Sequence, residues 1–68
     1  MQREFRLLIG KQVELLMVNS MENTIKRNGK LEHDNGWYYI YDEGKSGNDF
    51  NCAFQENEIH KIVYLKEV

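Results

Sequence analysis

The chain has 68 residues, 9 basic and 11 acidic, for a formal charge of −2. One domain of that length buries only roughly 60% of the surface its unfolded form exposes, so it has little stability to spare and gains from disulfides, metals or self-association. A single cysteine, Cys52, excludes an intrachain disulfide, and the mild acidity excludes a whole-chain field that draws in polyanions.

Zinc is poorly served as well, because His33, His60 and Cys52 include no close-spaced ligand pair. Self-association is left as the expected support, and a homo-oligomer follows. An unpaired thiol fits a reducing cytoplasm better than a secreted scaffold.

From the amino terminus, Met1 to Arg6 is charged and Leu7-Leu8-Ile9 is cut short by Gly10 and Lys11. That pattern is neither a signal peptide nor a membrane span. Phe5, Leu8 and Ile9 recur at helical spacing, which predicts a short helix over about 2–9. From Gln12 to Val18 the chain reads as a strand, with Val13, Leu15 and Met17 on one face and Leu16 and Val18 on the other. A strand apolar on both faces needs cover from outside so small a domain, and this one is the expected seat of self-association.

Asn19 to Asn23 is turn-rich, and Thr24 to Arg27 resumes in extended character. Asn28-Gly29 admits a two-residue hairpin or a bulge at which one long strand bends. The bulge is the preferred reading, since Leu31 then continues the inward face begun at Ile25. Asn35-Gly36 predicts a tight hairpin joining Leu31–Asp34 to Trp37–Tyr41, because both residues adopt positive φ at little cost. Glu43 to Asp49 is a polar loop, and Phe50, Cys52 and Phe54 alternate with Asn51, Ala53 and Gln55 as in a half-buried strand. A single turn at Glu56–Ile59 and a strand from Lys61 to Leu65 close the chain.

The run Trp37-Tyr38-Tyr39-Ile40-Tyr41 has four aromatics in five positions. If Tyr38 and Ile40 pack inward with Val13, Leu31 and Phe54, then Trp37, Tyr39 and Tyr41 face outward as a ladder suited to stacking bases. Lys26, Arg27 and Lys30 gather around Asn28-Gly29 and would neutralise phosphate. Catalysis has thinner support. His33 beside Asp34, and His60 near Glu56 and Glu58, lack a nucleophile, a carboxylate pair or a metal set. Gly44-Lys45-Ser46 lacks the upstream glycine and following helix of a phosphate-binding loop, and Cys52 reads as a small core hydrophobe. The sequence therefore predicts no enzyme, no metal and no cofactor.

A short amino-terminal helix, Ile9-Gly10-Lys11-Gln12-Val13-Glu14-Leu15, a bent Gly29-Lys30-Leu31 segment, a hairpin, and a final unit of Phe54, Ile59 and Ile62 follow in an order that resembles the Sm-like small β-barrels. The resemblance spans most of the chain and is shared with Src-homology-3-like barrels. It implies a mainly β fold: a small, five-stranded, strongly bent antiparallel barrel over about 12–66, preceded by the helix, in one domain over 1–68. It also implies rings formed by pairing of edge strands, with RNA bound near strand-connecting loops. Asp34 and Asn35 hold the position similar to the polar loop between the second and third strands, and are carried over as binding candidates.

These observations rank a non-catalytic binding module first, acting by protein interaction or self-assembly. Binding of RNA, DNA or a nucleotide through Trp37, Tyr39, Tyr41, Lys26, Arg27 and Lys30 is the alternative. A third reading is an inhibitor or sequestering protein of a mobile genetic element.

Overall fold

The structure is a computed structural model that describes residues 2–68, with side chains from Phe5 onward. Gln2–Leu7 form a short helix, α1. It ends before Leu8 and Ile9, which the spacing places within it. Gly10 turns there with φ of 87°, and its N–H donates to Leu31 O at 2.6 Å, so the chain is captured by the sheet instead of continuing the helix. Phe5 is buried and meets Tyr38 edge-on, with ring centroids 6.5 Å apart.

Five strands follow: β1 (Gln12–Val18), β2 (Thr24–Asp34), β3 (Trp37–Tyr41), β4 (Cys52–Gln55) and β5 (Ile62–Glu67), with a 3-10 helix at Glu56–Lys61 before the last. All neighbours are antiparallel, in the order β4-β3-β2-β1-β5. No ladder joins β4 to β5 among the described residues, so the sheet has two edges.

A single strand, β2, serves both halves of the sheet. Thr24 to Lys30 pair with β1, and Lys30 to Asp34 pair with β3. The handover falls beside Gly29, which is buried and has no side chain to obstruct the fold in the sheet. A Cβ there would overlap Tyr41 O and lie 2.7 Å from Ile40 Cγ2. Asn28-Gly29 is thus the bend in one long strand and not a hairpin.

Alternation along the strands sends Val13, Leu15, Met17, Leu31, Tyr38, Ile40 and Phe54 into one core, where Phe5 joins them. Tyr38 stacks on Phe54 at 5.2 Å between centroids. Leu16 and Val18, on the other face of β1, are only partly buried. In register Leu16 lies between Lys26 and Tyr64.

Around Leu16 a polar network covers the outer face. Tyr64 Oη donates to Glu14 Oε2 at 2.6 Å, and Lys26 and Lys66 each stand 3.8 Å from the same carboxylate. The Tyr64 hydrogen bond, aided by the two lysines, holds Glu14 below the ordinary carboxylate range against the opposing effect of burial.

The closing segment is longer than its pattern predicts: the helical turn extends to Lys61 and β5 runs on to Glu67. Glu58 caps the turn by accepting the Gln55 N–H at 2.9 Å, and that bond lowers its own pKa. The β1–β5 register then passes from Leu16↔Tyr64 to Met17↔Ile62 and skips Val63, a β-bulge that leaves this side chain 54% exposed.

Candidate functional site

The site begins with a turn. Asn35 and Gly36 have φ of 52° and 82°, the double positive φ of a type I′ hairpin, which matches the twist of the flanking strands. The turn fixes the register Asp34↔Trp37, His33↔Tyr38, Glu32↔Tyr39, Leu31↔Ile40 and Lys30↔Tyr41. With side chains alternating between faces, Tyr38 and Ile40 enter the core while Trp37, Tyr39 and Tyr41 form an outer row beside Asp34, Glu32 and Lys30.

The outer rings are stacked in sequence. Trp37 and Tyr39 centroids lie 6.4 Å apart and Tyr39 and Tyr41 6.0 Å apart, with planes inclined by 24° and 27°. The row is open at the Trp37 end and closed at the Tyr41 end. Trp37 is 36% exposed, whereas Tyr41 is only 9% exposed. The 42–51 loop crosses over it, and Tyr41 Oη donates to Gly47 O at 2.8 Å. Burial raises the Tyr41 phenol above its ordinary value, and Tyr39, Glu32 and Asp34 push in the same direction.

Phe50 completes this face, although its alternation with Cys52 and Phe54 suggests the core. Its ring lies 5.3 Å from Tyr39 and is 42% exposed. The reason is local. β4 begins only at Cys52, and Asn51 is drawn aside by three bonds: its N–H to Ile40 O at 2.7 Å, and its amide to Asp42 Oδ1 at 2.9 Å and Asn28 O at 3.2 Å. Lys45 and Asp49 pair within the loop at 3.4 Å.

Between loop and hairpin lies a cavity of about 500 Å³, lined by the Tyr39 and Tyr41 rings and by Lys30, Glu32, Asp34 and Lys45. Lys45 and Ser46 of the Gly44-Lys45-Ser46 stretch border it, and the next element after them is a strand, β4. At the hairpin tip, Asn35 and Trp37 face a shallower hollow shared with Glu56 and Asn57. The tip is fastened to the 3-10 helix by the Glu56 N–H to Gly36 O, 3.0 Å, and by His33 Nε2 to Glu56 Oε1, 2.8 Å.

The three cations around Asn28-Gly29 engage different partners. Lys26 lies by Glu14, Lys30 lies 3.2 Å from Glu32, and Arg27 donates to the Lys26 carbonyl at 2.9 Å. Of the three, only Lys30 borders the cavity. The remaining chemical candidates stay apart. His60 Nδ1 donates to Asn57 O, 3.1 Å away; it lies in the same 3-10 helix as the Glu56 that pairs with His33 but shares no hydrogen bond with that pair among the described residues. Cys52 is partly buried, and burial pushes its thiol up, which disfavours the thiolate. Among the described residues, no group of three or more His, Cys, Asp or Glu side chains could hold a metal ion.

A second, more apolar cavity of about 430 Å³ runs along β5, lined by Phe5, Ile59, Ile62, Val63, Tyr64 and Leu65. No helix of the described residues is long and apolar enough to cross a membrane. No protein family, curated protein or solved structure matches the chain.

Proposed function

We propose that the protein is a non-catalytic binding module that acts by pairing its sheet edges with further copies of itself. The observation that carries this reading is the strand order β4-β3-β2-β1-β5, which leaves one unpaired edge at each end of a single bent sheet. An edge strand presents a row of unsatisfied N–H and C=O groups, a template for pairing with another chain. Apolar side chains accompany both edges: Phe50 and Trp37 beside β4, and Val63 and the apolar cavity along β5. Joining β4 of one copy to β5 of the next is heterologous, and such contacts close into rings when the rotation permits.

This reading adds the sheet edges to the apolar faces of β1 as seats of association, since β1 itself is hydrogen-bonded along both sides within its own chain. The curl at Gly29 supports a small strongly bent barrel of Sm-like or Src-homology-3-like type, with its N-terminal helix packed at one end. A protein partner occupying the same edges is the closest variant of the idea, and a cytoplasmic setting accords with the unpaired Cys52.

Light scattering or native mass spectrometry at tens of micromolar tests the proposal, with Val63→Lys as the perturbation. Val63 lies on the bulge and contributes nothing to the buried core. Wild type is expected as an oligomer and the variant as a smaller species with unchanged circular dichroism. A monomeric wild type would refute the reading.

A second reading, nucleotide or nucleic-acid binding, draws on the cavity beside Tyr39 and Tyr41. It relies on Lys30 and Lys45 there, in place of a Lys26/Arg27/Lys30 cluster.

A further inference from the structure

The cavity beneath the 42–51 loop has a direction, and strand register sets it. Asp34, Glu32 and Lys30 follow one another on the outer face of β2, opposite Trp37, Tyr39 and Tyr41. At ~3.3 Å per residue the row from Asp34 to Lys30 covers ~13 Å. Its turn end is acidic. Its far end is basic, where Lys30 is joined on the cavity wall by Lys45 from the loop, and the Tyr39 and Tyr41 rings lie between.

The four charged groups are not equally occupied. Lys30 is paired with Glu32 at 3.2 Å and Lys45 with Asp49 at 3.4 Å. Asp34 has no cation within 4.0 Å among the described residues. Both lysine pairs are solvent-exposed, and such pairs are worth roughly 0–1 kcal/mol, so the lysines exchange partners easily. Among the described residues that carboxylate takes no ion pair or side-chain hydrogen bond, and an ionised carboxylate is acceptor-only, with two oxygens that take a pair of parallel donors.

We propose that this cavity binds a guanosine phosphate, with the guanine Watson–Crick edge on Asp34, the purine against Tyr39, and the phosphate toward Lys30 and Lys45. Among the common bases, guanine alone presents two adjacent N–H donors, at N1 and N2, that match a carboxylate in parallel. Adenine places an acceptor beside its amino group, cytosine does the same, and uracil flanks its one N–H with carbonyl oxygens. A carboxylate facing those edges meets a lone pair. The cavity volume lies within the roughly 300–1,000 Å³ of small-ligand sites, and an aromatic wall supplies a sequence-tolerant stacking surface.

The inference rests on the nucleotide reading and goes beyond it by naming the base. Isothermal titration with GMP, AMP, CMP and UMP tests it, with Trp37 fluorescence as a parallel signal because Trp37 stacks on Tyr39. GMP is expected to bind at least about tenfold more tightly than the others, as one good bidentate pair provides roughly 1–3 kcal/mol of discrimination. Asp34→Asn should abolish that preference while leaving circular dichroism unchanged, since Asp34 is exposed. Lys45→Ala should weaken GMP and AMP alike and reduce the salt dependence. A short oligoribonucleotide with one guanosine, compared with GMP, separates an RNA source from a free nucleotide, and a guanosine preference in either supports the site. Equal binding of all four nucleotides would overturn the guanine assignment while sparing the nucleotide reading. Binding of none, as monomer or oligomer, would remove both.

Discussion

At Gly29 the absence of one methyl group decides whether the sheet can fold over. A Cβ would overlap Tyr41 O, a backbone atom of the adjoining strand that cannot swing aside, and press on the Ile40 Cγ2 methyl. Gly29→Ala is therefore expected to destabilise by about 1–3 kcal/mol, the usual range for overpacking a filled site. Urea denaturation measures it, and an unchanged midpoint would contradict the close approach. Glu14 gives a second residue-level expectation, this time dependent on pH. Its folded pKa is depressed, chiefly by the Tyr64 hydroxyl, so its contribution is present above the unfolded pKa and is lost as pH falls through the folded value. Tyr64→Phe should lower stability at neutral pH, and the gap from wild type should narrow on acidification. A gap that stays constant from neutral to acid pH would rule out the carboxylate as its source.

Among the elements, the β2–β3 hairpin was the most legible in the sequence, because Asn35-Gly36 dictates a turn type and the turn type dictates the register. Once the register is set, the faces of Trp37 to Tyr41 follow by alternation, and the outward placement of Trp37 and Tyr39 was readable from that alone. The loop that covers Tyr41 was not. Its path depends on the Tyr41 hydroxyl reaching Gly47 O and on Asn51 reaching Asp42 and Asn28, bonds between segments that no local period encodes. Phe50 was obscured for the same reason, since period-two alternation carried through Asn51 assumes a strand that starts only at Cys52. Tyr41→Phe should loosen the loop without disturbing the hairpin. Faster amide hydrogen exchange at Ser46 to Asn48, with protection retained at Tyr38 and Ile40, is the expected pattern. Equal exchange in the two proteins would show that the loop is held by other contacts.

For the whole molecule, strand content was visible in the sequence but strand order was not. The two apolar faces of β1 suggested a strand awaiting a partner. The fold pairs it on each flank, with β2 and β5, and sets the Glu14, Lys26, Lys66 and Tyr64 network on the same outer face as Leu16, which stays partly buried. Long-range pairing of this kind joins residues 50 positions apart, as Glu14 and Tyr64 do, and leaves no mark in spacing. Within the Lys26, Arg27 and Lys30 group, Lys26 and Lys30 share a face of β2 but pair with different carboxylates, Glu14 and Glu32, while Arg27 alternates to the other face. The unpaired edges at β4 and β5 are then the features that the assembly test with Val63→Lys addresses. The bulge at Val63 confines regular backbone geometry on that edge to Tyr64 and beyond, so any incoming strand should add along the carboxy-terminal half of β5.

Because β2 belongs to two ladders at once, neither half of the protein owns its own boundary. Melting the hairpin strips Lys30 to Asp34 of their partners, and melting the β1 side strips the remainder of the same strand. The molecule behaves as a folded sheet of paper whose crease is also its spine.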